Sequence, residues 1–281
     1  METNDSGVET NDSGVELHSG VVRPPPGHAA FAAASPDVVS GRGSLVNKII
    51  DLIPVLDAVE VARVHADVHA ARPRWTRRDP VHPFFTLGAA SYLDARKGQF
   101  AHYQALAREG NPELAATFGW VHEKLRQAVS TVVGSEARYD DRLALPGFHV
   151  HLRDPEQVIP PASIHFDLQF ELIEWRQLGV ADGREQLSLT LAIALPAEGG
   201  GLMVWNINRM EIEAMTDEAR RAHMSANRHA SRHPYTPGHL AVHSGHQLHQ
   251  MAPAHDPQPT DERITMQAHA LPVDGRWVIY W

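Results

Sequence analysis

From Leu145 onward apolar and polar residues alternate in short runs bounded by Gly, Pro and Asp. This period-two pattern predicts strands near Gly147–Leu152, Ser163–Phe170, Leu187–Leu195, Gly201–Asn206, Arg228–Tyr235, His239–His243, Gln247–Ala252, Arg263–Leu271 and Arg276–Trp281. Upstream the period is helical. Val46, Ile49, Ile50 and Ile53 share one face up to Pro54, and after Asp57 as an N-cap the residues Val61, Val64 and Val68 carry an apolar stripe to Ala71. A third helix is predicted with Asn111 as cap, Pro112 in its first turn, and Leu114, Phe118, Val121, Leu125, Ala128 and Val132 stepping by three or four. Between these, Arg72 to Asp94 holds Pro73, Pro80 and Pro83 and reads as a loop. Its Trp75, Phe84, Phe85 and Tyr92 either line a pocket or anchor the loop on the core. Two short polar stretches, Met210 to Ala214 and Asp217 to Arg221, predict a helical insertion between strands, either a lid or a solvated excursion.

The start of the chain has neither period. Residues 2–8 are repeated at 9–15, and polar, Gly- and Pro-rich sequence runs on to Gly43, too poor in apolar side chains to offset its ordering entropy. The expected organisation is a flexible tail over 1–43 and one domain over 44–281, helical in 44–140 and strand-rich in 145–281. A chain of 281 residues can bury a full core. With 25 basic and 34 acidic residues the net charge is -9, which argues against nucleic acid as a partner. The absence of cysteine excludes disulfides and thiolate metal sites. No apolar run is long enough to span a membrane, and the N-terminus lacks a signal peptide's basic and apolar regions, so a cytoplasmic protein without a membrane partner is expected.

The chemistry concentrates in Ser163-Ile164-His165-Phe166-Asp167-Leu168. In extended backbone His165 and Asp167 share a face, and Ile164, Phe166 and Leu168 the other. An imidazole beside a carboxylate suits Fe(II) once a second imidazole completes a two-His-one-carboxylate face with open positions. The chain holds 19 histidines, most of which must be surface or hydrogen-bonded residues. Within one short stretch His239, His243, His246 and His249 all compete for the third position, and proximity alone does not separate them. His65 and His69, one helical turn apart, could chelate a metal, but no carboxylate motif neighbours them in sequence and they read as a surface face.

His165-X-Asp167, then His249 in His249-Gln250-Met251-Ala252-Pro253, then Arg263-X-Thr265 on the next strand together resemble the non-haem Fe(II)/2-oxoglutarate-dependent dioxygenase superfamily, over roughly residues 145 to 281. The resemblance selects His249, whose setting matches the family's His-X-Val-X-Pro, over His246. It implies an α+β, mainly β fold, a double-stranded β-helix (jelly roll) over 145–281 with the N-terminal helices buttressing one sheet. Fe(II) would be held by His165, Asp167 and His249. Arg263 would pair with the far carboxylate of 2-oxoglutarate, its planar guanidinium suiting a carboxylate in a dry pocket, with Thr265 adding a hydrogen bond. The implied reaction consumes O2 and 2-oxoglutarate, yields succinate and CO2, and hydroxylates an unactivated C–H of a small, amino-acid-like or natural-product substrate. Asp167, where related halogenases carry Gly or Ala, disfavours halogenation. The family's Gly-Asp-Leu is here Gly238-His239-Leu240, a departure that removes no ligand.

Other readings stand beside this one. The same iron centre could desaturate or cyclise. His149-Val150-His151 followed by Glu156 has the core of a cupin metal motif, though its flanking glycines are missing, and a non-catalytic jelly-roll or cupin-type binding protein is the alternative class. By family analogy His149 and His151 lie on the first barrel strand, one facing the cavity. Trp175, Arg176, Trp205 and Asn206 are further candidate substrate contacts.

Overall fold

A computed structural model describes residues 50–95, 98–153, 163–254, 258 and 260–281. The expected tail over 1–43, the first turns of the helix expected from Val46, and Glu156 lie outside these residues.

The chain after Asp57 starts as its sequence suggests. Asp57 Oδ1 accepts from the backbone N–H of Val59 and Glu60 (both 2.9 Å), and Glu60 reaches back to the Asp57 N–H at 3.0 Å. This reciprocal cap stabilises the first turn by about 1 kcal/mol and opens helix α1, Ala58–Ala70. After the single turn α2, Ser91–Asp94, helix α3 runs from Phe100 to Val133, so Asn111 and Pro112 lie inside it and not at its start. Phe100, Tyr103 and Ala107 extend the buried stripe backwards from Leu114, and that packing outweighs the roughly 3 kcal/mol penalty of an interior proline. Asn111 uses its side chain elsewhere, donating to Leu143 O and accepting from Leu145 N–H, both at 2.9 Å.

Strands β5 (Gly147–Leu152), β6 (Leu187–Ala194), β9 (His239–Ser244), β11 (Glu262–Val273) and β12 (Arg276–Tyr280) fall close to their expected positions. They form most of a 9-stranded sheet, antiparallel except where β12 runs parallel to β4 (Ala137–Tyr139). Three further strands come from the part expected to be helical or looped. Asp51–Pro54 is a strand, β1, paired with β9 where a helix end was expected. The proline-rich loop contains β2 (Thr76–Arg77) and β3 (Phe84–Leu87), and β3 pairs with β5. These strands are too short to show a period, and β1 and β3 take partners distant in sequence while β2 only folds back on β3. A second, 3-stranded sheet is built from β7 (Leu202–Asn208), β8 (Ala230–His233) and β10 (Gln247–Met251).

Alternation sorts the side chains into layers. Leu187, Leu189, Leu191 and Ile193 of β6 and Ile264, Met266, Ala268 and Ala270 of β11 face Val64 and Val68 of α1 and Leu114, Phe118, Val121 and Leu125 of α3. Each Val, Leu, Ile, Phe or Met among them, fully buried, contributes about 1.5–3 kcal/mol. On the opposite face of the large sheet, Ala192 and Ala241 meet Leu202, Val204 and Tyr235 of the small sheet's side. The small sheet's outer face carries Met203, Trp205, Ile207 and Leu248, covered by the insertion, which forms α4 (Arg209–Glu213) and α5 (Asp217–Ala226). Between the sheets β11 presents Arg263, Thr265, Gln267 and His269, all polar, where hydrocarbon would otherwise close the core. No helix among the described residues is long and apolar enough to cross a membrane.

Candidate metal centre

Ser163 to Phe170 is not a strand. Pairing is confined to a bridge in which His165 and His249 exchange both backbone hydrogen bonds at 3.0 Å, followed by Asp167 N–H donating to Gly245 O at 2.9 Å. Beyond it the chain turns into a 3-10 helix at Gln169–Leu172. One edge of pairing over three residues is enough to impose the alternation. Phe166 joins the outer cluster under the insertion, with Ile164 and Leu168 against it, while His165 and Asp167 point the other way.

There they meet His249. His165 Nε2 lies 3.4 Å from Asp167 Oδ1 and His249 Nε2 lies 3.4 Å from Asp167 Oδ2. The three ligand atoms fall within 4.8 Å of one another. Both rings are held from behind: His165 Nδ1 donates to Ser163 O at 2.6 Å and His249 Nδ1 to Gln247 O at 2.8 Å. A carbonyl only accepts, so each Nδ1 carries a proton and Nε2, which faces Asp167, is the nitrogen left to give a metal ion its lone pair once its own proton is displaced, the arrangement a metal-binding imidazole needs. Gln169 Nε2 donates to Asp167 Oδ1 at 2.9 Å and steadies the carboxylate. Burial raises Asp167, but the charge of His249 and hydrogen bonds from both imidazoles outweigh it and hold the carboxyl well below its ordinary range. An anionic carboxylate with two imidazole lone pairs is a donor set that fits Fe(II), and one side stays accessible because the His165 side chain is 27% exposed.

The competing histidines are turned elsewhere. His243 packs its ring against His249 at 4.6 Å with Nδ1 on Ser244 O, and burial, then the charge of His249, pushes it down to about 3. His246 donates from Nε2 to Gly183 O at 2.7 Å, in a surface cleft shared with Phe170 and Arg209. His239 lies at the other end of β9, its Nδ1 near Pro237 O.

Arg263 is 5% exposed, and no acid pairs with it among the described residues. Its Nε donates to Gly200 O at 2.9 Å and its Nη1 to Thr265 Oγ1 at 3.2 Å. Gly200, at φ +72, adopts the left-handed backbone that a glycine tolerates in the turn offering this carbonyl. Gln267 Nε2 also donates to Thr265 Oγ1, at 2.8 Å, so the Thr265 hydroxyl accepts twice and keeps its own hydrogen to donate. Burial presses the guanidinium down to about 10. A cation, a free hydroxyl proton and no counter-ion form a receptor for an anion.

Cross-strand register places His151 opposite Arg263 and His149 opposite Thr265, so both histidines line the same inner face. His151 stacks on Phe84 at 4.4 Å, and the Tyr92 hydroxyl lies 2.9 Å from His149 Nε2. His149 sits between the two centres: burial, then His151 and Arg263, hold it well below the ordinary imidazole range, against the opposing pull of Asp167. Tyr92 and Phe84 thus meet the inner face through His149 and His151, whereas Trp75 and Phe85 pack on the core. Four other candidates are not brought to the site. Trp175 donates to Phe170 O and packs edge-on against Tyr280, Arg176 is exposed beside Glu174, Trp205 is in the outer cluster, and Asn206 pairs with Asn227 on the surface. Gln267, His269 and Tyr235 were missed. The first two were readable, being the next polar positions in the alternation that begins at Arg263.

No protein-family model matches the sequence, and no curated protein does. Among solved structures the chain is similar to AviO1 from Streptomyces viridochromogenes Tue57, at 16% identity over 80% of this chain and 90% of that one, TM-score 0.43. It is similar to the non-heme alpha ketoglutarate dependent epimerase SnoN from nogalamycin biosynthesis, at 14% identity over 83% and 84%, TM-score 0.45. It is also similar to an N-substituted L-amino acid dioxygenase from Burkholderia ambifaria AMMD, at 15% identity over 83% and 86%, TM-score 0.47. Likeness at this level transfers no chemistry.

Proposed function

We propose that the chain is an Fe(II)- and 2-oxoglutarate-dependent oxygenase acting on a small polar substrate, with a double-stranded β-helix as its scaffold. The observation that carries this reading is the pairing of two features between the sheets: a convergent His165, Asp167, His249 donor set, and the buried Arg263, which has no acid beside it among the described residues. A metal site alone would fit many proteins. A metal site facing a dry guanidinium fits a co-substrate that chelates metal at one end and carries a carboxylate at the other.

When bound, Fe(II) with 2-oxoglutarate and O2 supplies the oxidising chemistry, with succinate and CO2 as co-products. The protein's residues do the rest. Ser163 O and Gln247 O fix the ring orientations of His165 and His249, and Gln169 fixes Asp167. Arg263 and Thr265 receive the distal carboxylate, with Gln267 orienting the threonine hydroxyl. His149, held by Tyr92, and His151, held against Phe84, offer polar contacts beside the reacting region and would position one substrate C–H. This lining favours a polar, amino-acid-like or natural-product substrate over an aliphatic one, and hydroxylation is the simplest outcome.

The test is succinate release in air from protein supplied with Fe(II) and 2-oxoglutarate, across a panel of free amino acids and their derivatives. Turnover stimulated by one class of compound, and abolished in a folded Asp167→Ala variant, is expected. Turnover that survives Asp167→Ala unchanged would overturn the assignment.

A further inference from the structure

A second group of metal-binding side chains lies on the opposite side of β11. His65 and His69 project from successive turns of α1 on the same face, and Glu262, the first residue of β11, places its carboxylate between them. His65 Nε2 contacts Glu262 Oε1, and His69 Nε2 lies 3.0 Å from Oε2 and 3.3 Å from Oε1. The three ligand atoms again fall within 4.8 Å of one another. The imidazole rings are 4.7 Å apart, and His69 is braced by Trp75 at 5.6 Å, whose indole N–H is tied to Val68 O at 3.1 Å. The carboxylate that the sequence around His65 and His69 lacks is therefore supplied from nearly 200 positions away by the packing of α1 on the sheet.

From this geometry we infer a second, structural site for a divalent transition-metal ion of the zinc type, held by His65, His69 and Glu262 and completed by water. Two imidazoles one helical turn apart with one carboxylate are a zinc donor set, and the remaining position is open because the His65 and His69 side chains are 39% and 35% exposed. Without metal, the contacts require each ring to offer Nε2–H to Glu262. With metal, the rings present lone pairs, and the three atoms need only draw together around the ion. Exposed histidines scattered on a surface do not do this, because they share no carboxylate and no braced ring. The site would clamp α1 to the leading end of β11, one residue before Arg263. Alternation keeps the two apart, with Glu262 on the helix side and Arg263 in the cavity. The proposal is independent of what the inner centre does.

The decisive experiment is equilibrium dialysis of the metal-free full chain against Zn(II), buffered low enough to leave isolated surface imidazoles empty. The wild-type chain is expected to bind two equivalents. The His65→Ala/His69→Ala double variant is expected to bind one, and so is an Asp167→Ala/His249→Ala double variant, which empties the inner centre. In that second variant Co(II) should give the intense visible bands of a four-coordinate site, and saturating Zn(II) should raise the thermal midpoint by roughly 5–10 °C. Both effects should vanish when Glu262→Gln is added. No zinc bound to the Asp167→Ala/His249→Ala variant, or a wild-type stoichiometry that His65→Ala/His69→Ala leaves unchanged, would overturn the proposal. If the inner-site variant does not fold, the difference between wild type and His65→Ala/His69→Ala decides alone.

Discussion

Position 263 holds a buried guanidinium with no acid beside it among the described residues. Such a charge costs stability in the free protein and recovers it when a carboxylate arrives. Arg263→Met is therefore expected to leave the free protein as stable or more so, while removing the stabilisation that 2-oxoglutarate confers. Loss of charge-assisted hydrogen bonds worth about 1.5–3 kcal/mol weakens co-substrate binding by roughly tenfold to a hundredfold. Thermal melts with and without 2-oxoglutarate check this, and an undiminished ligand-induced shift in Arg263→Met would count against the role. Much was legible at this scale. His165 and Asp167 needed only local alternation to share a face, and that survives although the expected strand does not. Glu262 beside His65 was not legible, because no local pattern reports a contact made by packing a helix on a distant strand.

Among the ties between α3 and the sheet is a buried imidazole. His122 donates from Nε2 to Pro146 O at 2.9 Å, immediately before β5, and its own carbonyl accepts from the Tyr139 hydroxyl at 2.7 Å. Burial lowers His122 to about 4 against an unfolded value of 6.5. Between those values the unfolded chain binds a proton that the folded chain refuses, so stability is full above about pH 6.5 and falls as the pH drops towards 4, by about 3 kcal/mol for this residue alone. Urea midpoints measured across that window should fall less steeply for His122→Gln than for the wild type, and identical slopes would contradict the account. Helix α1 was legible from its cap, and β5, β6, β9, β11 and β12 from alternation. The start of α3 was misjudged because Asn-Pro is a strong start signal locally, while the burial of Phe100, Tyr103 and Ala107 that overrides it is tertiary. Strands β2 and β3 stayed hidden for a related reason, since the pairing of β3 with β5, and of β2 with β3, and not composition makes them strands.

For the molecule as a whole, the layering explains why a polar layer lies between the sheets. The large sheet spends its apolar alternate positions on α1 and α3, and the small sheet spends its own on the insertion, leaving Arg263, Thr265, Gln267, His149 and His151 facing inward. His151, pushed down to about 3 by burial and then by Arg263, adds acid sensitivity of the same sign as His122. Whether this inner face holds Fe(II) and 2-oxoglutarate together is decided by anaerobic titration. Adding 2-oxoglutarate to the Fe(II)-loaded chain without oxygen is expected to produce a weak visible charge-transfer band that saturates with the co-substrate and is missing from Asp167→Ala. A wild-type chain that gives no band, or an Asp167→Ala chain that gives one of equal strength, would contradict joint binding at that face.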